Sequence, residues 1–143
     1  MSRFQILVLN GPNLNLLGTR EPEVYGAATL DDLVSDLRKR FPDIEIADVQ
    51  SNDEGALIDA IQDFGSRFNG IVFNPGGYAH TSVAIRDAVS SIPAPVIEVH
   101  ISNIHAREEF RNISIVGGAC KAVISGLGVS GYAVAIAHLK SLS

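Results

Sequence analysis

A chain of 143 residues, 46% of them hydrophobic and with a formal charge of −5, suits one domain that buries its own core; its excess of carboxylates gives neither nucleic acid nor an anionic membrane surface a reason to bind. The single cysteine, Cys120, excludes an internal disulfide, and its apolar surroundings mark it as a small buried hydrophobe rather than a nucleophile. No window reaches the roughly 18 consecutive apolar residues of a membrane span. The opening MSRFQILVLNGPN lacks the apolar core and cleavage site of a signal peptide, so a reducing, cytoplasmic setting is expected.

Phe4–Leu9 (FQILVL) predicts the first strand, ended by Asn10-Gly11-Pro12-Asn13. From Gly11 to about Ala28 runs a stretch with Gly18, Pro22 and Gly26 and no helical period, which is either a functional lid or a disordered segment. Thr29 caps the first helix, with Asp31 and Asp32 in its first turn. Leu30, Leu33, Val34, Leu37 and Phe41 share one face until Pro42-Asp43 stops the helix. Ile44–Gln50 is the second strand. Asn52 reads as the cap of a second helix whose apolar stripe is Leu57, Ile61, Phe64 and Phe68. Gly70–Asn74 (GIVFN) is the third strand, ended by Pro75-Gly76-Gly77. Thr81 or Ser82 begins a third helix that stops before Ile92-Pro93-Ala94-Pro95. Pro95–Ile101 is the fourth strand, Cys120–Gly126 the fifth, and Val129–Leu142 the last helix. Strands alternating with helices predict an α/β fold with a five-stranded parallel sheet, helices on both faces. The class favours the flavodoxin-like doubly wound order 2-1-3-4-5, as one domain spanning residues 1–143.

In such a sheet ligands bind beyond the carboxyl ends of the strands, at the switch point between strands one and three. Three polar clusters fall at those ends: Asn10, Asn13 and Asn15; Asn74-Pro75-Gly76-Gly77 with His80; and His100, Ser102, Asn103 and His105. Any one asparagine is ordinary turn chemistry. Three clusters at one end of a sheet point to a site. Glu98 lies two positions before His100, so both side chains leave the same face of the strand, where a carboxylate can fix an imidazole's tautomer for acid–base work. A satisfied core histidine remains the alternative. Arg20, Glu21 and Tyr25 place long functional side chains in the glycine- and proline-containing loop. A phenol ionises near pH 10, so Tyr25 serves as a base only if a cation such as Arg20 stabilises its phenolate. Without that, the loop is a solvated lid.

The three lysines, Lys39, Lys121 and Lys140, lie away from the clusters, which leaves a Schiff-base mechanism without its amine. HExxH, paired cysteines and the P-loop pattern are all missing, and the one GxGxxG spacing is read as packing, so no metal or nucleotide cofactor is expected. Gly126, Gly128 and Gly131 (GLGVSG) read as close helix–strand packing.

The stretches LNGPNLNLLGTREPEVYG (Leu9–Gly26), FNPGGYAHTSVAIRDA (Phe73–Ala88) and PVIEVHISNIHAREEFR (Pro95–Arg111) resemble, in order, the three signature motifs of the type II 3-dehydroquinate dehydratases. The resemblance spans the whole chain and implies a flavodoxin-like, cofactor-free lyase that dehydrates 3-dehydroquinate by anti elimination through an enolate. It implies Tyr25 as the base, Arg20 and Arg107 as its electrostatic support, and Asn13 as the holder of a water at the enolate oxygen. His100, oriented by Glu98, would be the acid. Asn74 and the amides of Ile101 and Ser102 would hold the carboxylate, and His80 and Arg111 the ring hydroxyls. Asp87 would act across a subunit boundary in a homododecamer built from trimers. Arg111–Gly118 (RNISIVGG) departs from the family's commoner Arg-His-x-Ser-Tyr form, which puts the packing there in question. Two rivals remain: a sensing module for a small polyol acid, which has no use for an Arg–Tyr lid, and a hydrolase using His100 as base. The hydrolase lacks a nucleophile, since Ser102 stands in no GxSxG elbow.

Overall fold

The protein is described by a computed structural model over residues 3–19, 23 and 27–143. Five parallel strands form one sheet in the order β2-β1-β3-β4-β5. The strands are β1 (Phe4–Asn10), β2 (Ile44–Gln50), β3 (Gly70–Asn74), β4 (Val96–His100) and β5 (Ala122–Ser125). Among the described residues four helices flank them: α1 (Leu30–Arg40), α2 (Glu54–Gly65), α3 (Val83–Ser90) and α4 (Ser130–Ser141). The doubly wound order expected from the element pattern is the one observed.

Period-two alternation in β1 divides the core. Ile6 and Val8 face one layer, with Leu33 and Leu37 of α1 and Tyr132, Ile136 and Leu139 of α4. Leu7 and Leu9 face the other, with Leu57 and Ile61 of α2 and Ile85 and Val89 of α3. All four β1 side chains are fully buried, as in a parallel sheet covered on both faces. Thr29 forms a capping box with Asp32, and Ser82 caps α3 by accepting from the Ile85 N–H at 2.9 Å.

Several boundaries differ from the sequence expectation. The second helix is capped by Asp53, whose carboxylate accepts from the Ala56 N–H; Asn52 instead accepts from the Asn13 N–H at 3.0 Å and from Gln50 at 3.1 Å, tying loop to strand end. β1 runs on to Asn10, which pairs with Asn74 of β3 and Gln50 of β2. β4 is shorter at both ends, starting after Pro95, which has no N–H to give a ladder. β5 spans only Ala122–Ser125, because Gly126 turns away with a φ of 92°. Lys121 therefore sits just before a strand rather than within it. Its N–H donates to Val96, at the amino end of β4 and the opposite end of the sheet from the polar clusters.

The long loop after β1 begins with one 3-10 turn, Leu14–Leu16. At its stem Gly18 has a φ of 89°, and a Cβ there would lie 2.7 Å from the Ala27 carbonyl oxygen. Bare backbone thus meets backbone where the loop returns. Among the described residues no helix is long and apolar enough to cross a membrane.

Candidate active site

At the carboxyl ends of β1, β3 and β4 a cleft of about 160 Å³ opens at the switch point. Eight of the twelve residues to which the resemblance gives a role line it: Asn13, Asn74, His80, His100, Ile101, Ser102, Arg107 and Arg111. Glu98 stands behind His100. Asp87 is exposed on α3 and lines no part of its own chain's cleft. Arg20 and Tyr25 fall outside the described residues. His105, named with the third cluster, is exposed and outside the cleft lining.

Two turns build the floor. After β1, a Cβ on Gly11 would lie 2.5 Å from the Pro75 carbonyl oxygen. After β3, Gly76 has a φ of 61°, and a Cβ on it would lie 2.9 Å from the Pro12 carbonyl oxygen. The two turns interlock backbone against backbone, which only glycine permits. Asn13, in the same turn, has a φ of 72°, the one positive value among the described non-glycine residues. Asparagine tolerates this region better than most residues. The turn aside, Asn13 lies at the cleft, where unusual backbone geometry commonly serves a site.

Asn74 is held from two sides. Its Oδ1 accepts from the Gly76 N–H at 3.1 Å, and its Nδ2 donates to the Tyr132 hydroxyl at 3.0 Å. That hydroxyl in turn donates to Asn10 Oδ1 at 2.6 Å. Asn10 is therefore a buried support and not a cleft residue. Burial pushes the Tyr132 phenol well above its ordinary pKa, so it stays a neutral donor and acceptor. Tyr132 was missed at the sequence level. It stands on the buried stripe with Ala135, Ile136 and Leu139, and a phenol in such a stripe must find a partner.

Glu98 is fully buried and His100 nearly so. Glu98 Oε2 lies 2.7 Å from His100 Nε2. A carboxylate accepts, so Nε2 carries the hydrogen. Nδ1 is then the nitrogen left to exchange a proton. His80 is oriented by the Ile113 carbonyl, 2.9 Å from its Nδ1, which therefore donates. The two imidazoles lie nearly parallel with centroids 6.0 Å apart. Beyond β4, the N–H groups of Ile101 and Ser102 donate to no backbone carbonyl among the described residues. Two successive free N–H groups at a strand end suit an anion.

Arg107 and Arg111 lie at the cleft of a chain whose net charge is −5. Glu108 stands between them, 3.1 Å from Arg111 Nε and 3.8 Å from Arg107 Nε. Its carboxyl is held below the ordinary glutamate range, first by its own backbone N–H and then by Arg111. The pocket's other wall is apolar, formed by Leu14, Leu16, Leu17 and Ile104. Cys120 is half-buried against the second core layer, its thiol pushed up to about 12 chiefly by burial, with the Glu98 carboxylate adding to it. It stays protonated near neutral pH and is no nucleophile.

The family model for class II dehydroquinases matches residues 4–140. A 3-dehydroquinate dehydratase of an Exiguobacterium species is 55% identical over 134 residues, covering 93% of this chain and 92% of its own. A catabolic 3-dehydroquinase of Pyricularia oryzae is 54% identical over 140 residues, covering 92% and 86%. The crystal structure of a type II dehydroquinase from Butyrivibrio crossotus superposes with a TM-score of 0.94 at 47% identity, over 98% of this chain and 99% of that one. Matched from the first strand to the last helix, in sequence and in fold, this chain belongs to the class II dehydroquinase family.

Proposed function

We propose that the protein dehydrates 3-dehydroquinate to 3-dehydroshikimate by anti elimination through an enolate, serving the shikimate pathway of aromatic amino-acid biosynthesis. The observation that carries this reading is the buried Glu98–His100 pair, 2.7 Å apart, at a cleft lined by Asn74, two free backbone amides and two arginines. A polyhydroxylated carboxylate matches that set of donors.

In the first step the Tyr25 phenolate takes the proton at C2 and the electrons move to the carbonyl oxygen. Arg20 and Arg107 stabilise the phenolate and the developing enolate, and Asn13 holds a water at the enolate oxygen. In the second step the enolate collapses, the C1–O bond breaks, and His100 as imidazolium gives its Nδ1 proton so that the hydroxyl leaves as water. Glu98 holds Nε2 and stabilises the imidazolium that makes this possible. Tyr25 ends protonated and His100 neutral; exchange with solvent restores both. Asn74 and the Ile101 and Ser102 amides hold the carboxylate, while His80 and Arg111 hold ring hydroxyls.

The domain is a single catalytic unit over residues 1–143, with a lid at about 18–28 that carries Arg20 and Tyr25. The described stem supports this placement: Thr19 bonds to the Leu16 carbonyl through its N–H at 3.0 Å and its hydroxyl at 2.7 Å, and Leu16 lines the cleft. Asp87, exposed and away from its own cleft, reaches substrate in a neighbouring subunit of a homododecamer, a tetramer of trimers. The protein works in the cytoplasm.

The product is a conjugated enone and the substrate is not, so ultraviolet absorbance follows the reaction directly. Chelator-treated protein should raise the absorbance, also after borohydride is added with substrate. Tyr25→Phe should lower turnover by orders of magnitude and still fold. A folded, assembled wild type that gives no rise would leave the sensing module as the better reading. A Tyr25→Phe variant of normal activity would remove the base.

A further inference from the structure

We infer that Ser114 is a positioning residue for the leaving-group half of the reaction, acting through Glu98 on His100. The inference rests on the dehydration proposed above. Glu98 Oε2 accepts from two donors, His100 Nε2 and the Ser114 hydroxyl, each at 2.7 Å. Oε1 has no partner among the described residues. Among the described residues the carboxylate is thus held by one oxygen, and Ser114 is its only partner there other than the imidazole it must orient.

Ser114 is itself aimed. Its Oγ accepts from the Gly117 N–H at 2.9 Å, which directs the hydroxyl hydrogen away from that side. The competing acceptor, the Ala79 carbonyl, is 3.4 Å away, against 2.7 Å to Glu98. A charged acceptor at the shorter distance takes the hydrogen. Gly117 also packs closely enough that a Cβ on it would lie 3.0 Å from Ser114 Oγ.

The neighbours of Ser114 make the same link to the second imidazole. The Ile113 carbonyl accepts from His80 Nδ1, the Ile115 N–H donates to Ala79 at 2.7 Å, and Arg86 donates to the Ile115 carbonyl at 2.9 Å. Residues 113–115 therefore reach His80 directly and His100 through Glu98. Arg86, on α3, anchors this segment from behind.

Without the Ser114 hydroxyl, the carboxylate keeps a single hydrogen bond and can turn to present either oxygen. His100 then spends less time with Nδ1 toward the leaving hydroxyl. Proton abstraction at C2, on the lid side, does not depend on that alignment. The defect should fall on C–O cleavage alone.

The experiment compares wild type, Ser114→Ala and Ser114→Thr, each checked for fold and assembly, with 3-dehydroquinate carrying deuterium at C2. Loss of a hydrogen bond to a charged group corresponds to a fall of about tenfold or more in kcat for Ser114→Ala, with KM changed less than about twofold. Its C2 isotope effect should fall, or deuterium washout from unreacted substrate should rise relative to product, because the enolate returns more often than it collapses. Ser114→Thr, which keeps the hydroxyl, should recover most of the rate. Unchanged kcat in Ser114→Ala overturns the inference. So does a slow Ser114→Ala whose isotope effect and washout match wild type, since both steps would then be impaired alike. A wild type that does not dehydrate the substrate at all would instead refute the proposed function.

Discussion

Tyr132 is fully buried, and its hydroxyl sits between two asparagines that end adjacent strands. Tyr132→Phe keeps the ring in the core but leaves Asn10 Oδ1 without its donor and Asn74 Nδ2 without its acceptor. Each buried polar atom left unpaired costs about 1–3 kcal/mol, so urea unfolding should show a loss of about 2 kcal/mol or more. A freed Asn74 should also weaken substrate binding and raise KM. An unchanged urea midpoint would mean that the two asparagines find other partners. At this scale the sequence was informative where the link is local. Glu98 and His100 were readable as a pair because a strand puts alternate residues on one face. Tyr132 with Asn10, or Ser114 with Glu98, join elements distant along the chain, and no spacing rule carries that information. Ser114 in particular stands in the stretch that departs from the family pattern, where the sequence raised a doubt about packing and the structure places the contact to Glu98.

The turns after β1 and β3 were legible as turns but not as partners. Asn-Gly-Pro and Asn-Pro-Gly-Gly announce chain reversal through glycine and proline chemistry. That Gly11 and Gly76 face each other's turns follows only once β1 and β3 lie side by side. Gly76→Ala must place a Cβ 2.9 Å from the Pro12 carbonyl oxygen and hold a φ of 61°. The left-handed conformation alone costs roughly 1–2 kcal/mol, and displacing a neighbouring backbone adds to it. The neighbouring Gly77→Ala is the control, since a Cβ there meets nothing within 4 Å. Chemical denaturation should find Gly76→Ala less stable by about 2 kcal/mol or more and Gly77→Ala near wild type. Equal stability in the two variants would dissolve the interlock. The helix starts show the same limit. Thr29 was a recognisable cap and Ser82 one of two candidates beside Thr81, whereas Asn52 and Asp53 are adjacent cap formers, and the choice between them was made by Asn13 and Gln50 engaging the Asn52 side chain.

For the molecule as a whole, alternation of strands and helices was enough to foresee a parallel sheet wound in both directions, with its ligands at one end. How subunits assemble leaves no periodic trace in a chain, and the expected dodecamer came from resemblance. Asp87 offers a way to test it. If Asp87 completes a neighbour's cleft, a Tyr25→Phe subunit and an Asp87→Asn subunit fail at different clefts. Refolding the two together should return activity that neither has alone, because some clefts then receive an intact copy of each residue. Mixtures no more active than their components would place Asp87 outside the reaction. The interlocked turns also bear on how this fold can diverge. The floor of the pocket, where Gly11 meets Pro75 and Gly76 meets Pro12, is backbone laid on backbone and offers mutation almost nothing to vary. Elsewhere the lining presents side chains, Ile104, Arg107 and Arg111, from short turns outside the sheet. Descendants of this sequence that acquire new substrates must therefore inherit the floor unchanged and do their exploring on those turns.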